Sequence, residues 1–522
     1  MPDATLTALI LTPLAGGFAA WLAARQRAAA ARWIALAAAL ATFGLALLTW
    51  AAVGAEAASI AAPVLQQRLP WIPRYGIEYH LALDGLSLLF VVLTGLLGCI
   101  AVLMSWREIE RSEGLHYLCL LATVAGIMGV FLAFDLFLFY FFWELMLVPM
   151  YFLIGVWGHE ERVRAAIKFV IFTMISGLFL LASIIGLYWA HARATGQLTT
   201  DYVELLGTSL PPEVGGWLFV GFLVAFAVKL PVFPLHSWLP DAHTQAPTAG
   251  SILLAGLLLK TGGYALIRFA VPLFPEAAAS LSGPIAVVGV IGIIYGAVLA
   301  YGQTDMKRLI AYTSVSHMGF VVLGVASWQL VAVQGAVLQM LAHGLATGAL
   351  FAIAGMVDTR FHSRELAALG GLWARLPRLS GFALLFILAS VGVPGMGNFI
   401  GELLTLLGAW AVTPALVAVA AGGLVAGTVA MLRLMQRAFH GTAAATRPLA
   451  DIADIGGREI LVLAALAALV IALGMFPQPA LRSAEPALEQ LVAREVVYDP
   501  ADPQLDPRRT RLTAAAGPEL PR

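Results

Sequence analysis

Fourteen stretches of this sequence run for 18 residues or more with apolar side chains and almost no charge, each bounded by charge, Pro or Gly. They fall at about 5-22, 33-53, 83-104, 116-133, 134-156, 165-190, 216-238, 248-270, 282-302, 308-326, 329-357, 379-410, 414-436 and 459-476. A helix needs about 20 apolar residues to cross the hydrocarbon core of a bilayer. Inside lipid only helices and closed barrels satisfy their own backbone hydrogen bonds. The expectation is therefore an all-α polytopic membrane protein of about fourteen transmembrane helices. Composition agrees, because 61% of the residues are hydrophobic and only 11% charged, too few charges to cover a water-facing surface. Formal net charge is zero, so the charge balance points to no nucleic-acid partner.

The remaining punctuation fits this frame. The run from Leu6 to Trp21 lacks a basic leader and ends on Arg25, Arg27 and Arg32, which reads as a retained first span. Cys99 and Cys119 lie in separate apolar runs and read as packing residues. Loops after odd-numbered spans hold eighteen Lys and Arg, including Lys307 and Arg447, against four after even-numbered spans, Arg68, Arg74, Arg193 and Arg268. By the positive-inside rule both termini face the outer side. The longest hydrophilic stretches, about 54-82, 191-215 and 437-458, are each under thirty residues and too short for a soluble catalytic domain. The tail over 477-522, rich in Pro and Arg, reads as an exposed appendage.

Against this background a few residues stand in the wrong solvent. Glu144, Lys229, Lys260, His317, His343 and Glu402 each lie near the middle of an apolar stretch. A charge at the centre of a spanning helix costs about 2.5–3.5 kcal/mol on insertion scales. These groups must therefore face one another or water within the bundle. Desolvation disfavours the charged form of any such group, and a file of groups poised this way can pass protons. A neutral imidazole both accepts and donates, which suits a link in that file better than a haem ligand. His236 follows Lys229 by seven residues, whereas His80, His116, His159, His191, His362 and His440 fall in loops or at edges.

Two of the stretches are interrupted. LPVFP follows Lys229 and VPGMGNF precedes Glu402. Proline breaks the helix ladder and frees carbonyls, which a membrane protein tolerates only beside protein or a water-filled cavity. Interrupted helices at matching places in two halves point to repeats, over 116-270 and 282-436. The expected organisation is completed by three N-terminal helices in 1-115, and by a loop and the last helix in 437-476.

The segments FFWELMLVPMYFLIGVWG, KLPVFPLHSWLPDAHTQAPTAGSILLAGLLLKTGGYALIRF, YGQTDMKRLIAYTSVSHMGF and VPGMGNFIGE resemble the signature segments of the antiporter-like subunits of respiratory complex I, the proton-translocating NADH:quinone oxidoreductase. The likeness runs from about Leu81 to His440. It implies two inverted five-helix repeats, a pair between Glu144 and Lys229, Lys260 as the connecting lysine, His317 and His343 on the polar axis, and Glu402 as the terminal acid. Sister subunits L and N, and the related cation/proton antiporters, usually carry a lysine where this chain has Glu402. The resemblance further implies no cofactor in this chain, with NADH, FMN, iron-sulfur clusters and quinone handled by partner subunits. The implied setting is a bacterial inner membrane, beside subunits L and N. Two other readings share many of these features. One is a cation/proton antiporter subunit, and the other a scaffold whose charges only hold helices together. Glu108, among Arg107, Glu110 and Arg111, reads either as a residue near proton uptake or as part of a solvated charge cluster.

Overall fold

The computed structural model describes residues 4–53, 63–441 and 452–493. Arg447 and the chain beyond Ala493 lie outside the described residues. Helices dominate: α1 (Thr5–Ala24), α2 (Ala28–Val53), α3 (Gly85–Glu108) and α4 (Glu113–Leu132) lead to α5 (Leu136–Trp157), α6 (Arg162–Thr195) and α7 (Pro212–Lys229). After α8 (Trp238–Gln245) come α9 (Thr248–Leu273), α10 (Ser282–Gly302), α11 (Met306–Ala326) and α12 (Leu330–Phe361). The chain continues with α13 (Pro377–Val391), α14 (Gly397–Trp410), α15 (Pro414–His440), α16 (Gly457–Met475) and α17 (Gln478–Ala493). Among the described residues, thirteen of these helices are long and apolar enough to cross a membrane.

The twelfth stretch, 379-410, is not one helix. It divides into α13 and α14 around Gly392 and Gly395, whose φ angles of 77° and 95° lie in the left-handed region, with Pro394 between them. In the same way the stretch expected over 216-238 stops at Lys229, and the chain re-enters helix only at Trp238. Trp238 Nε1 donates to the carbonyl of Val228 at 2.9 Å, satisfying a group that the end of α7 leaves open. The break between α4 and α5 is fixed by Asp135, whose side chain accepts from the amides of Phe137 at 2.9 Å and Leu138 at 3.0 Å.

Strands β1 (Leu65–Ile72) and β2 (Ile77–Leu83) form an antiparallel hairpin before α3. The hairpin is clipped down by a buried contact between His80 and Asp201. Burial pushes the Asp201 carboxyl up, but the hydrogen bond to His80 and its charge outweigh this and hold Asp201 below the usual carboxylate range.

Several expectations need correction. Arg268, counted among loop cations, is fully buried near the end of α9, and Lys307 is fully buried in the first turn of α11. His80, His116 and His191 are buried rather than marginal, His116 lying 2.9 Å from Ser105 Oγ. The tail is not exposed over its first part. Helix α17 buries Ala480, Ala484, Ala487, Leu488 and Leu491 against α3 and α12. Those positions form a one-sided stripe at helical spacing, which the low apolar content of the segment hides.

The crossing of α12 with α14 brings two backbones unusually close. A Cβ at Gly335 would stand 2.4 Å from the amide nitrogen of Thr405, and one at Gly401 would stand 2.7 Å from that of Gln339. In membranes, where lipid is as apolar as the helix, such small-residue contacts are what hold helices together. Gly335→Ala should therefore destabilise the folded chain by about 1–3 kcal/mol through overpacking. Thermal unfolding in detergent checks this, and an unchanged midpoint would contradict it.

Candidate functional site

The centre of the bundle holds a file of titratable side chains from four helices. Lys260 is carried by α9 just after a π-helical turn, Leu254–Leu258. Its buried ammonium donates to the carbonyl of Ala255 and lies 2.6 Å from Nδ1 of His343 on α12. The rings of His343 and His317 are 5.4 Å apart between centroids and inclined at 66°. Nε2 of His343 has no hydrogen-bond partner among the described residues. A proton moving between the two rings thus needs one bridging water or a ring rotation. Nδ1 of His317, on α11, lies 2.9 Å from Oε1 of Glu402 on α14, and its Nε2 lies 3.2 Å from Ser390 Oγ.

Gln339 ties the last links together. It sits one turn before His343 on α12, and its Nε2 donates to Oε1 of Glu402 at 3.0 Å. A cavity of about 10 Å³ beside His317, Ser390 and Glu402 has room for roughly one water. The breaks described above place these groups. Because the chain turns at Gly392–Met396, Ser390 at the end of α13 and Glu402 on α14 both reach His317.

Glu144 and Lys229 are arranged differently. Lys229 ends α7, is fully buried, and holds Nζ 4.9 Å over the ring of Trp143 with no hydrogen-bond partner among the described residues. Glu144 follows Trp143 on α5, is half-buried, and its Oε1 has no hydrogen-bond partner either. The resemblance implies a pair between these two residues, but no ion pair within 4.0 Å joins them here. The lysine rests on an aromatic face, a contact worth about 2 kcal/mol or more when desolvated. Space for the carboxylate comes from α6, where a Cβ at Gly177 would stand 2.0 Å from Glu144 Oε1. The segment after Lys229 also touches α9, since a Cβ at Gly262 would stand 2.7 Å from the amide nitrogen of Leu230.

The geometry adds residues that the sequence reading passed over. His243 is buried and stacked on Phe351 at 4.5 Å, with neither ring nitrogen bonded among the described residues. Its spacing of seven residues after His236 was the available signal. Lys307 donates to the carbonyl of Ala246 at 2.8 Å, and nothing in its surroundings MKRL distinguishes it from a loop cation. Glu108 is more than a solvated charge. Its Oε1 accepts from both the amide and the hydroxyl of Thr248 at 2.9 Å, and it lines a cavity of about 320 Å³ with Arg107, Arg360 and Glu459. Among the described residues no group of three His, Cys, Asp or Glu side chains could hold a metal ion. His317 and His343 each contact another polar side chain.

Fold and file together define a polytopic membrane protein whose interior is organised around ionisable side chains. Residues 133–428 match the family model described as NADH:quinone oxidoreductase/Mrp antiporter, transmembrane, and the chain belongs to this family. It is 51% identical to NADH-quinone oxidoreductase subunit M of Pseudomonas aeruginosa, covering 91% of this chain and 94% of that one. Among solved structures, a chain of respiratory complex I from Thermus thermophilus superposes with a TM-score of 0.85 at 31% identity, covering 94% of this chain and 99% of that one. A chain of the Mrp complex from a Dietzia species superposes with a TM-score of 0.82, covering 94% and 98%. At 21% identity that likeness speaks to the fold alone.

Proposed function

We propose that this chain is a membrane-arm subunit of a proton-translocating NADH:quinone oxidoreductase, the counterpart of subunit M in its relatives. The observation that carries the proposal is the file from Lys260 through His343 and His317 to Glu402, made of groups that can each take and return a proton. Redox chemistry belongs to partner subunits, which handle NADH, flavin, iron-sulfur clusters and quinone. Subunits L and N are the expected neighbours, in a bacterial inner membrane. The core is read as two inverted five-helix repeats, 116-270 and 282-436. Both termini are read as facing the outer side, and reporters fused to the two ends would refute this by lighting up on the inner side.

The working cycle turns on Glu144 and Lys229. When the Glu144 carboxylate closes on Lys229, the ammonium has a counter-charge and holds its proton. When a movement in a neighbouring subunit draws Glu144 away, Lys229 is left with a charge its surroundings no longer balance, and the proton passes inward. Lys260 and the two histidines carry it to Glu402. Energy from the redox partners is thus received as a displacement of charge. A cation/proton antiporter subunit is the alternative, and copurification with flavin- and iron-sulfur-containing subunits in mild detergent separates the two.

Glu144→Gln keeps the shape of the side chain and removes its charge. Since each ~1.4 kcal/mol of lost pairing changes a proton equilibrium tenfold, proton pumping and the coupled quinone reductase activity should fall by about tenfold or more in an assembled complex. Glu144→Asp, which keeps the charge, should be milder. An assembled Glu144→Gln complex that pumps at the wild-type rate per electron would refute the paired-charge cycle.

A further inference from the structure

Helices α3 and α9 lie side by side in opposite directions and are joined by polar contacts at both ends. At one end Glu108 of α3 accepts from Thr248 of α9 beside the 320 Å³ cavity. At the other end Asp84, which caps α3, is paired with Arg268 of α9. Lys260 stands between these ends. The two ends differ in kind, because Arg268, Asp84, Ser87 and Tyr264 are all 0% exposed. Beyond them α17 lies across the start of α3, with Ser483 Oγ donating to the carbonyl of Gly85 at 2.9 Å.

We propose that the Arg268–Asp84 pair, with Tyr264, is a proton barrier that closes the hairpin-side end of the path at Lys260 and so makes that lysine accessible from one side only. This inference rests on the reading of Lys260 as a proton-carrying residue. Lys260, Tyr264 and Arg268 follow one another at four-residue intervals, which separates the backbone positions of Lys260 and Arg268 by roughly 12 Å along the axis at about 1.5 Å per residue. A proton leaving Lys260 toward the hairpin meets Tyr264 first. Its hydroxyl donates to the carbonyl of Phe131 at 3.1 Å and receives Nε of Arg268 at 3.3 Å, so its proton is directed sideways into the backbone. Ser87 Oγ, 2.9 Å from the Tyr264 oxygen, lies 3.4 Å from Arg268 Nη2.

The guanidinium is the stop itself. It has no lone pair to accept a proton and stays charged at any physiological pH. A fixed positive charge in a dry passage also repels an approaching proton, as arginines do in selective pores. Asp84 keeps that charge affordable without opening a route, because its two oxygens are taken by Arg268 and by the amide of Ser87 at 2.9 Å. The rings of Phe134 and Tyr264, 5.1 and 5.4 Å from the guanidinium carbon, fill the remaining space. A pair serving only as a clamp would leave proton permeability untouched when replaced by neutral, hydrogen-bonding residues, and that difference can be measured.

The test uses the whole complex in proteoliposomes without NADH, so that nothing pumps, with an entrapped pH dye reporting decay of an imposed pH difference. The double variant Asp84→Asn with Arg268→Gln removes both charges together, which avoids leaving one buried and unpaired. Its passive proton leak should rise about tenfold over wild type, equivalent to about 1.4 kcal/mol off the barrier. Arg268→Lys, which keeps the ion pair but can shed its proton, should also leak, by less, and serves if the double variant does not assemble. Adding Lys260→Met should abolish either leak. Assembled variants that hold the gradient as wild type does would overturn the proposal, and so would a leak that survives Lys260→Met. Lys260→Met alone, driven by NADH, tests the relay reading separately, since normal pumping there would sink that reading whatever the leak shows.

Discussion

A charge inside a bilayer must find its partner within the protein, and the interior of this chain is arranged around that requirement. Water would solvate each of these ions for nothing; lipid charges several kcal/mol for each one left alone. Arg268 is answered by Asp84, Lys307 by the carbonyl of Ala246, and Lys260 by the carbonyl of Ala255 and the ring of His343. Glu402 is answered by His317 and Gln339. Lys229 is different: its ammonium lies over the face of Trp143 and makes no hydrogen bond among the described residues. Lys229 and Glu144 each leave a buried polar atom without a hydrogen bond among the described residues.

The same requirement explains why the helices are broken where they are. A continuous helix at 379-410 would fix Ser390 and Glu402 on one rigid rod, twelve residues apart and about 18 Å along the axis. The turn at Gly392–Met396 lets both meet His317. The stop after Lys229 similarly lets Trp238 reach back to Val228, and it brings Leu230 against α9 near Lys260. Backbone groups freed by such breaks must find partners in protein or water; both breaks here are partly buried, with Pro234 and Pro394 exposed. The tight crossing of α12 and α14 then holds Gln339 and Glu402 in register.

Much of this was legible in the sequence because membrane proteins write their fold in long apolar runs. The spans follow from length alone, and Glu144, Lys229, Lys260 and Glu402 stand out because the only other charges in those runs, Asp135 and Arg268, sit near the ends. What sequence could not show was direction. Arg268 and Lys307 lie near the ends of their stretches, where a buried cation and a loop cation look alike. His243 was passed over, since it follows Pro240 and Asp241 in a short polar segment whose helix α8 turns it inward. The stripe on α17 is built largely of alanine, too weak a signal to mark a packed helix. The open geometry of Glu144 and Lys229 was equally invisible, since spacing along the chain fixes which helices meet but not how far apart two side-chain ends come to rest.

The family places this chain among subunits that share one fold between redox-driven and antiporting complexes, so function rests on what its own axis can do. His343 is the link that joins Lys260 to His317, and its ring can be replaced by one of similar shape that neither accepts nor donates a proton. The decisive measurement is the number of protons moved per electron by the assembled complex carrying His343→Phe, reconstituted in vesicles. If His343 carries the proton, that ratio falls below the wild-type value, with the complex intact. An intact complex that moves the wild-type number of protons per electron would contradict it.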